Sequence, residues 1–341
     1  MVHDPLDVAF TLHQAGRLDE AETGYRRILA DQPYRQDVRG NLFALLRDAG
    51  RNADALAVIR EALAISPDDA DWRWRRFNAL AADARLPEAW PDYEARRNVT
   101  GQRVQVPALP FKEWQGEPVE SLVLWPEQGF GDQIMFARYL PMLAGVKVTL
   151  VCRPQLARLF APLGVDVVPL VSPVRLPRAD AWALLGSLPL RFGTDLGSIP
   201  PPTSIKAQPR PWRGRLGVVH QGSPTHGNDS NRSLPDHVAD RLHALPGVVS
   251  LAPERTGARD FQDTADLIAG LDAVITVDTA VAHLAGSLGK PVHILLPAVR
   301  TDWRWLRNRS DSPWYPSARL YRQREPGQWH EVLDEVLRAL S

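Results

Sequence analysis

The segment DTAVAHLAGSLGKPVHILLP, residues 278–297, follows the apolar run DAVITV (272–277), which reads as a buried strand. Such a strand delivers Asp278 to its carboxyl edge, where Thr279 and Ala280 open a helix. The first turn of a helix exposes backbone N–H groups at the positive end of the helix dipole, so this start suits a diphosphate. Thr279 adds a hydroxyl for the same anion, and His283 lies one turn in. A second segment, EQGFGD (127–132), sets Gly129 and Gly131 ahead of a helix expected over 133–144. Glycine lets backbone approach a substrate, and a carboxylate beside such a loop, from Asp132 or less directly Glu127, can take a proton from a hydroxyl. A third segment, HQGSPTHGNDSNRS (220–233), is a polar loop carrying Gln221, Asn231, Arg232 and Ser233. The same residue types also have plainer uses. Asp278 or Thr279 serves as a helix cap, as does Asp132; His283 is then a satisfied buried histidine and 220–233 a solvated turn.

Other chemistries lack their motifs. There is no GxGxxG fingerprint and no GxxxxGK[ST] loop, which argues against a dehydrogenase or a P-loop kinase. His220 and His226 share a loop and His283 and His293 flank a strand, but no HExxH spacing is present, so no metal is expected. A GxSxG elbow is also missing, which disfavours a Ser-His-Asp hydrolase. The run DWRWLRNRSDSPWYP (302–316) mixes aromatic and basic residues: Arg304 and Arg307 are candidates to reach phosphate, and Trp303, Trp305 and Trp314 are expected to pack the terminal helix. Such mixing also occurs in single-strand binders. With 40 basic and 40 acidic residues and no long basic stripe, nucleic acid is not an expected partner. The single cysteine, Cys152, excludes an intrachain disulfide framework. No stretch approaches the roughly 20 apolar residues of a membrane span, and the N-terminus lacks the pattern of a signal peptide, so a cytoplasmic location is expected.

The elements that must position these residues form two α/β halves. SLVLWP (121–126), KVTLVC (147–152), VDVVPL (165–170) and AWALLG (181–186) read as strands of the first. RLGVVH (215–220), GVVSLA (247–252), DAVITV and PVHILLP (291–297) read as strands of the second. Helices are expected over 235–244, 263–270, 279–288 and about 328–340. Strands alternating with helices imply parallel βαβ units, and ligands bind where the carboxyl ends of such strands face a cleft. The proline-rich stretches 101–120 and 197–214 read as a linker and a hinge.

Ahead of them the chain repeats every 34 residues: Leu12, Leu46, Leu80; Arg17, Arg51, Arg85; Ala21, Ala55, Ala89; and Tyr25, Ile59, Tyr93. Gly16 and Gly50 recur once, and the third copy has Ala84 instead. This pattern resembles the tetratricopeptide repeat. Its stacked helix pairs form a concave face able to dock a partner, or they only support the α/β halves behind them. Trp72 and Trp74 fit either such a face or interior packing. The division is repeats over 1–100, linker 101–120, a first lobe 121–205 and a second lobe 206–341.

The DTAVAH segment is similar to the nucleotide-binding motif of the ADP-heptose:lipopolysaccharide heptosyltransferases. With the repeats in front, the chain looks closer to tetratricopeptide-containing glycosyltransferases, some of which resemble the O-linked GlcNAc transferases. The resemblance covers about residues 120–325. It implies a GT-B fold of two Rossmann-like lobes with parallel sheets, and transfer of a sugar with inversion, without metal or cofactor. A nucleotide sugar is the implied co-substrate, and a protein or glycan the acceptor, with the repeats as its docking place. Asp132 is then the general base and Glu127 a weaker candidate. Gly129 and Gly131 line the acceptor loop, while Gln221, Asn231, Arg232, Ser233, Asp278, Thr279, Ala280 and His283 hold the donor. His220 stands where such enzymes often have tryptophan. A scaffold that binds a nucleotide sugar without turnover, and an epimerase of the same fold, are the other readings.

Overall fold

The repeat period becomes a run of helices: α1 (Pro5–Gln14), α2 (Leu18–Asp31), α3 (Gln36–Asp48), α4 (Asn52–Ile65), α5 (Ala70–Ala82) and α6 (Leu86–Tyr93). The computed structural model describes residues 4–101, 104–211 and 215–340. It separates this helical unit from an α/β unit that carries most of the remaining chain. Ala21, Ala55 and Ala89 are buried with Tyr25, Ile59 and Tyr93, so the repeated positions are the ones that fill the helix seams. Trp72 is interior, edge-on to Phe43 at 6.0 Å, while Trp74 stacks on Phe77 at 5.1 Å. The turns between paired helices need left-handed backbone. Gly16 and Gly50 take φ of +75° and +72°, and Ala84 takes +65° at the third. No helix among the described residues is long and apolar enough to cross a membrane.

The first lobe is a parallel sheet of order β1-β5-β2-β3-β4. Its strands are β1 (Lys112–Glu113), β2 (Ser121–Trp125), β3 (Lys147–Cys152), β4 (Asp166–Pro169) and β5 (Ala181–Leu184). Helices α7 (Phe130–Phe136), α8 (Ala157–Phe160) and α9 (Leu188–Arg191) connect or follow them. Strand β1 lies inside the stretch expected to be linker; it pairs with Ala181 and Trp182 and is too short to show a period. Helix α7 starts at Phe130, three residues before the expected 133, and changes at Ala137 to a 3₁₀ run holding Pro141. The Asp132 carboxylate accepts from Gly129 N–H at 2.7 Å and draws the loop into the first turn. Pro141, with no N–H to give, leaves the later turns the tighter form.

The second lobe is a parallel sheet of order β10-β9-β8-β6-β7. It contains β6 (Leu216–Val219), β7 (Val248–Ser250), β8 (Ala273–Val277), β9 (Val292–Leu296) and β10 (Ala318–Arg322). Its helices are α10 (Asp229–Arg232), α11 (Asp236–His243), α12 (Pro253–Thr256), α13 (Phe261–Ala269), α14 (Ala280–Ser287) and α15 (Trp329–Leu340). Strand β10, not expected from the sequence pattern, pairs in parallel with β9 from Ala318↔Val292 onward. Helix α15 buries Trp329, Val332, Leu333 and Val336 with Val238 and Leu242. The fold is thus a helical array followed by two Rossmann-like lobes, the GT-B-like architecture that the resemblance implies. Winding reverses between β2 and β5 in one lobe and between β6 and β8 in the other, and the carboxyl ends at such reversals are where ligands seat.

Residues 197–211 cross between the lobes without regular structure; 212–214 and linker residues 102–103 lie outside the described residues. The crossover is pinned by side chains at both ends. Thr203 Oγ1 donates to Ile134 O at 2.6 Å, and Gln208 N–H donates to Asp266 Oδ1 at 2.9 Å. At Gly270 an added Cβ would lie 2.3 Å from Arg210 O, so the absence of a side chain there lets the strap lie down.

An alanine held at positive φ is strained where a glycine is not. Ala84→Gly relieves this at the third repeat turn, which lacks glycine, and should stabilise the protein by up to about 1 kcal/mol. Denaturant melts of the two proteins check it.

Candidate functional site at the junction of the two lobes

Strand β2 ends at Trp125, and the chain turns through Pro126–Gln128 into α7. Glu127 is 7% exposed, and its Oε1 accepts from Gly186 N–H at 2.9 Å, just after β5. That bond ties together the two loops flanking the winding reversal, so this carboxylate braces the turn. Gln128 holds the turn in left-handed backbone, φ +55°, and its carbonyl accepts from Arg153 Nη2 at 2.9 Å. Gly129 is the N-cap and Asp132 the third residue of α7, so Asp132 caps from inside the helix.

Strand β8 ends at Val277 and presents Asp278. Thr279 is the N-cap of α14 but makes no side-chain capping bond; its hydroxyl lies 3.1 Å from Thr276 Oγ1. The N-cap side chain therefore leaves the N–H groups of the helix start uncapped, as an anion site requires. The 220–233 loop folds onto it. Arg232 donates through Nη1 to Asp278 O at 2.7 Å and through Nε to Asp229 Oδ1 at 3.2 Å. Ser233 Oγ accepts from Gly222 N–H at 2.9 Å and closes the loop, while Asn231 Nδ2 bonds Asn228 Oδ1 at 2.7 Å within it. Gln221 is exposed and lines the cleft described below.

The two helix starts meet. A Cβ on Gly131 would lie 2.6 Å from His283 Cδ2 and 3.3 Å from Ala280 Cα, so only glycine allows this approach of α7 to α14. Beside it Arg304, 6% exposed, bridges the lobes. Its Nη2 pairs with Asp132 Oδ1, and its Nη1 bonds both oxygens of Asp302 at 3.0 Å. Burial, and then the charge of Asp302, push the Asp278 carboxyl up to about 7. Burial works the same way on Asp302, but Arg304 and the Arg304 N–H outweigh it and hold Asp302 below its ordinary value. Burial and the charge of Arg304 push the His283 ring down to about 3, so it is neutral in ordinary buffers.

A cleft of about 1030 Å³ opens from this junction along the carboxyl ends of β6 and β7, lined among others by Phe130, His220, Gln221, Glu254 and Val281. His220, the departure from tryptophan, bonds through Nδ1 to His243 Nε2 at 3.0 Å, and burial lowers its pKa. The three tryptophans of 302–316 do not pack α15 as expected. Trp305 stacks on the His283 ring at 5.3 Å, and Trp303 meets Trp314 edge-on at 5.8 Å. Arg304 stacks over Trp303 at 4.5 Å, and Arg138 lies 5.4 Å from the Trp314 ring centre. These aromatics wall the site because α15 is occupied by the sheet and α11.

The structure thus brings together Gly131, Asp132, Arg232, Asp278, Thr279, Ala280 and His283. Glu127 braces its own turn, and Asn231 bonds within its own loop. Arg307 is half-buried. Among the described residues, no group of three or more His, Cys, Asp or Glu side chains is placed to hold a metal ion. Sequence reasoning does not find Asp302 or Tyr315, although both lie in the aromatic-basic run it singles out. Nor does it find Arg138, which lies within α7's continuation.

Residues 225–296 match the model of glycosyltransferase family 9 (heptosyltransferase), and residues 12–82 match a tetratricopeptide repeat model. Protein FlbA of Caulobacter vibrioides is 26% identical over 81% of this chain and 56% of its own length. The chain thus spans just over half the length of that relative. Among the solved structures it resembles are two heptosyltransferases. TibC from enterotoxigenic E. coli, an iron-containing dodecameric heptosyltransferase solved with ADP-D-β-D-heptose, is 14% identical over 68% of this chain and 79% of that one, with a TM-score of 0.44. E. coli ADP-heptose lps heptosyltransferase II is 12% identical over 65% of this chain and 100% of that one, with a TM-score of 0.41. The family 9 match lies within the second lobe.

Gly131→Ala forces a methyl group into the His283 ring. It should destabilise the α/β unit by about 1–3 kcal/mol and separate Asp132 from Arg304. Thermal unfolding checks the first effect. An unchanged melting temperature would mean that the two helices are free to move apart.

Proposed function

We propose that the α/β unit transfers a sugar from a nucleotide-sugar donor to a hydroxyl or amide of a protein or glycan acceptor, by direct displacement with inversion and without a metal. The observation that carries this reading is the meeting of a carboxylate from the first lobe with an uncapped helix start and two arginines from the second. The nucleoside occupies the cleft along β6 and β7. Its diphosphate lies at the N-terminus of α14, with the Thr279 hydroxyl and Arg232 beside it. As the bond from the anomeric carbon to the diphosphate oxygen breaks, negative charge builds on the leaving group. Arg232, Arg304 and the helix dipole meet that charge in place of a metal. The acceptor atom, a hydroxyl oxygen or an amide nitrogen, forms the new bond from the opposite face and gives its proton to Asp132. Arg304 orients the Asp132 carboxylate, so one guanidinium serves both halves of the reaction.

The repeats are assigned to acceptor docking because stacked helix pairs offer an extended face, and Tyr34 stands 77% exposed on this unit. The match of residues 225–296 to family 9 supports sugar transfer as the reaction class.

Two experiments test the site. Asp132→Asn should lower the transfer rate by about 10²–10⁴-fold while the affinity for nucleoside diphosphate, read by thermal shift, stays within about twofold. Turnover equal to wild type sinks the base assignment. A Thr279→Val, Arg232→Gln double variant should lose the thermal shift. No shift in the wild type with any nucleoside diphosphate would favour a scaffold that binds no nucleotide sugar.

Asp278 adds a pH signature. Its folded pKa of about 7 lies above the ordinary carboxylate value, so its contribution to stability is complete below pH ~4 and lost as pH rises through 7. The ionised form also repels a diphosphate at α14. Affinity for nucleoside diphosphate should therefore fall as pH rises past 7, and Asp278→Asn should remove that part of the fall. Titration calorimetry from pH 6 to 9 on both proteins reads the difference.

A further inference from the structure

His283 can give the site a hydrogen bond through only one of its ring nitrogens, and a neutral imidazole carries its proton on one nitrogen or the other. Nδ1 lies 3.0 Å from the hydroxyl of Tyr315. Tyr315 is fully buried, and burial raises its pKa against the opposing pull of Arg138, whose guanidinium sits 4.9 Å from its ring centre, so the phenol keeps its proton. A guanidinium has only N–H groups to offer, so the hydroxyl oxygen accepts from that side and its proton is left for Nδ1. Nδ1 is then the acceptor, and the ring proton resides on Nε2. That nitrogen faces Gly131 across the lobe junction, where a Cβ would lie 3.3 Å away.

The surroundings are built to hold this arrangement. Gly286, three residues along α14, leaves the space that the Tyr315 ring fills; a Cβ there would lie 2.4 Å from Tyr315 Cγ. Trp305 stacks on the His283 ring with planes 24° apart and restrains its rotation. Burial, with the charges of Arg304 and Arg138 outweighing that of Asp302, keeps the ring unprotonated. His283 is therefore no acid or base at neutral pH. What it can offer is one directed N–H.

We infer that Tyr315 is a positioning residue: it fixes His283 as the Nε2–H tautomer, so that this N–H points to the lobe junction beside Gly131 and donates to an oxygen of the sugar donor. Tyr315 itself touches no substrate. The inference rests on the donor site proposed above, but the tautomer can be read without any substrate.

The test is ¹⁵N NMR of the histidine side chains in the full chain, with the His283 signals identified by their loss in His283→Gln. In wild type, Nδ1 should give the signal of an unprotonated, hydrogen-bonded nitrogen and Nε2 that of a protonated one. Tyr315→Phe keeps the ring that packs on Gly286 and removes only the hydroxyl. It should mix the two tautomers and weaken ADP or UDP binding by about tenfold, the lower end of what orienting partners contribute elsewhere, with no loss of fold. Gly286→Ala should produce the same spectrum by displacing Tyr315. A proton on Nδ1 in wild type, or an unchanged tautomer in Tyr315→Phe, overturns the inference. If the tautomer behaves as expected while neither ADP nor UDP binds wild type, the donor site is what fails.

Discussion

Arg304 is almost wholly removed from water while carrying a full charge, and such a group must be met by opposite charge at close range or it destabilises the fold by several kcal/mol. It is met from both sides, by Asp132 of the first lobe and Asp302 of the second. Much of the site follows from this requirement. Four carboxylates, Asp132, Asp302, Asp229 and Asp278, gather near two guanidiniums, Arg304 and Arg232, so negative charge is in excess there. Asp278 is the carboxyl driven up to about 7, by burial first and then by the charge of Asp302. An anion arriving at the α14 start would compete with that charge, so proton binding and ligand binding are linked at one residue.

The ion pair persists because the lobes are also held elsewhere. Asp263, on α13, is 2% exposed and ringed by Arg158 of the first lobe, Arg210 of the crossover and Arg259 just ahead of its own helix. Its carboxyl lies far below the usual range; Arg259 is the largest cause, and burial works in the opposite direction. Phe130 and Phe261 add an aromatic contact at 4.8 Å between the same lobes. Arg138 donates to Trp314 O at 3.1 Å and to Pro200 O at 3.3 Å, linking the first lobe, the strap and the aromatic wall. Charge, aromatic packing and the strap together hold α7 against α14, which is the condition for one arginine to serve both sides.

The aromatic wall has a second consequence. Asp302, Trp303, Arg304, Trp305, Trp314 and Tyr315 come from one stretch of fifteen residues between β9 and β10. That stretch contributes an ion-pair partner, the bridging arginine, the ring stacked on His283 and the hydroxyl that bonds it. A single irregular segment can do this because β9 and β10 are rigid neighbours in the sheet and fix both its ends.

Local regularities are legible in the chain itself. The 34-residue period is local, since each repeat buries the same face against the next. The apolar runs 121–126, 147–152, 272–277 and 291–297 are strands because a sheet covered on both faces requires continuous hydrophobicity. Asp278, Thr279 and His283 can be placed at a strand-to-helix turn for the same reason. Strand β1, with two residues, and β10, where ARLYR alternates polar and apolar, carry too little pattern to stand out. Pairing across the fold is not legible at all. The 172 positions between Asp132 and Arg304 leave no mark in composition or spacing, and neither do Glu127 on Gly186 or Arg138 on the Trp314 carbonyl. Whether a carboxylate caps, braces or takes a proton depends on the charges beside it and the water kept from it. Those are set by distant residues meeting in three dimensions, so the sequence determined which groups were available and where each element began, and the tertiary structure alone decided their partners.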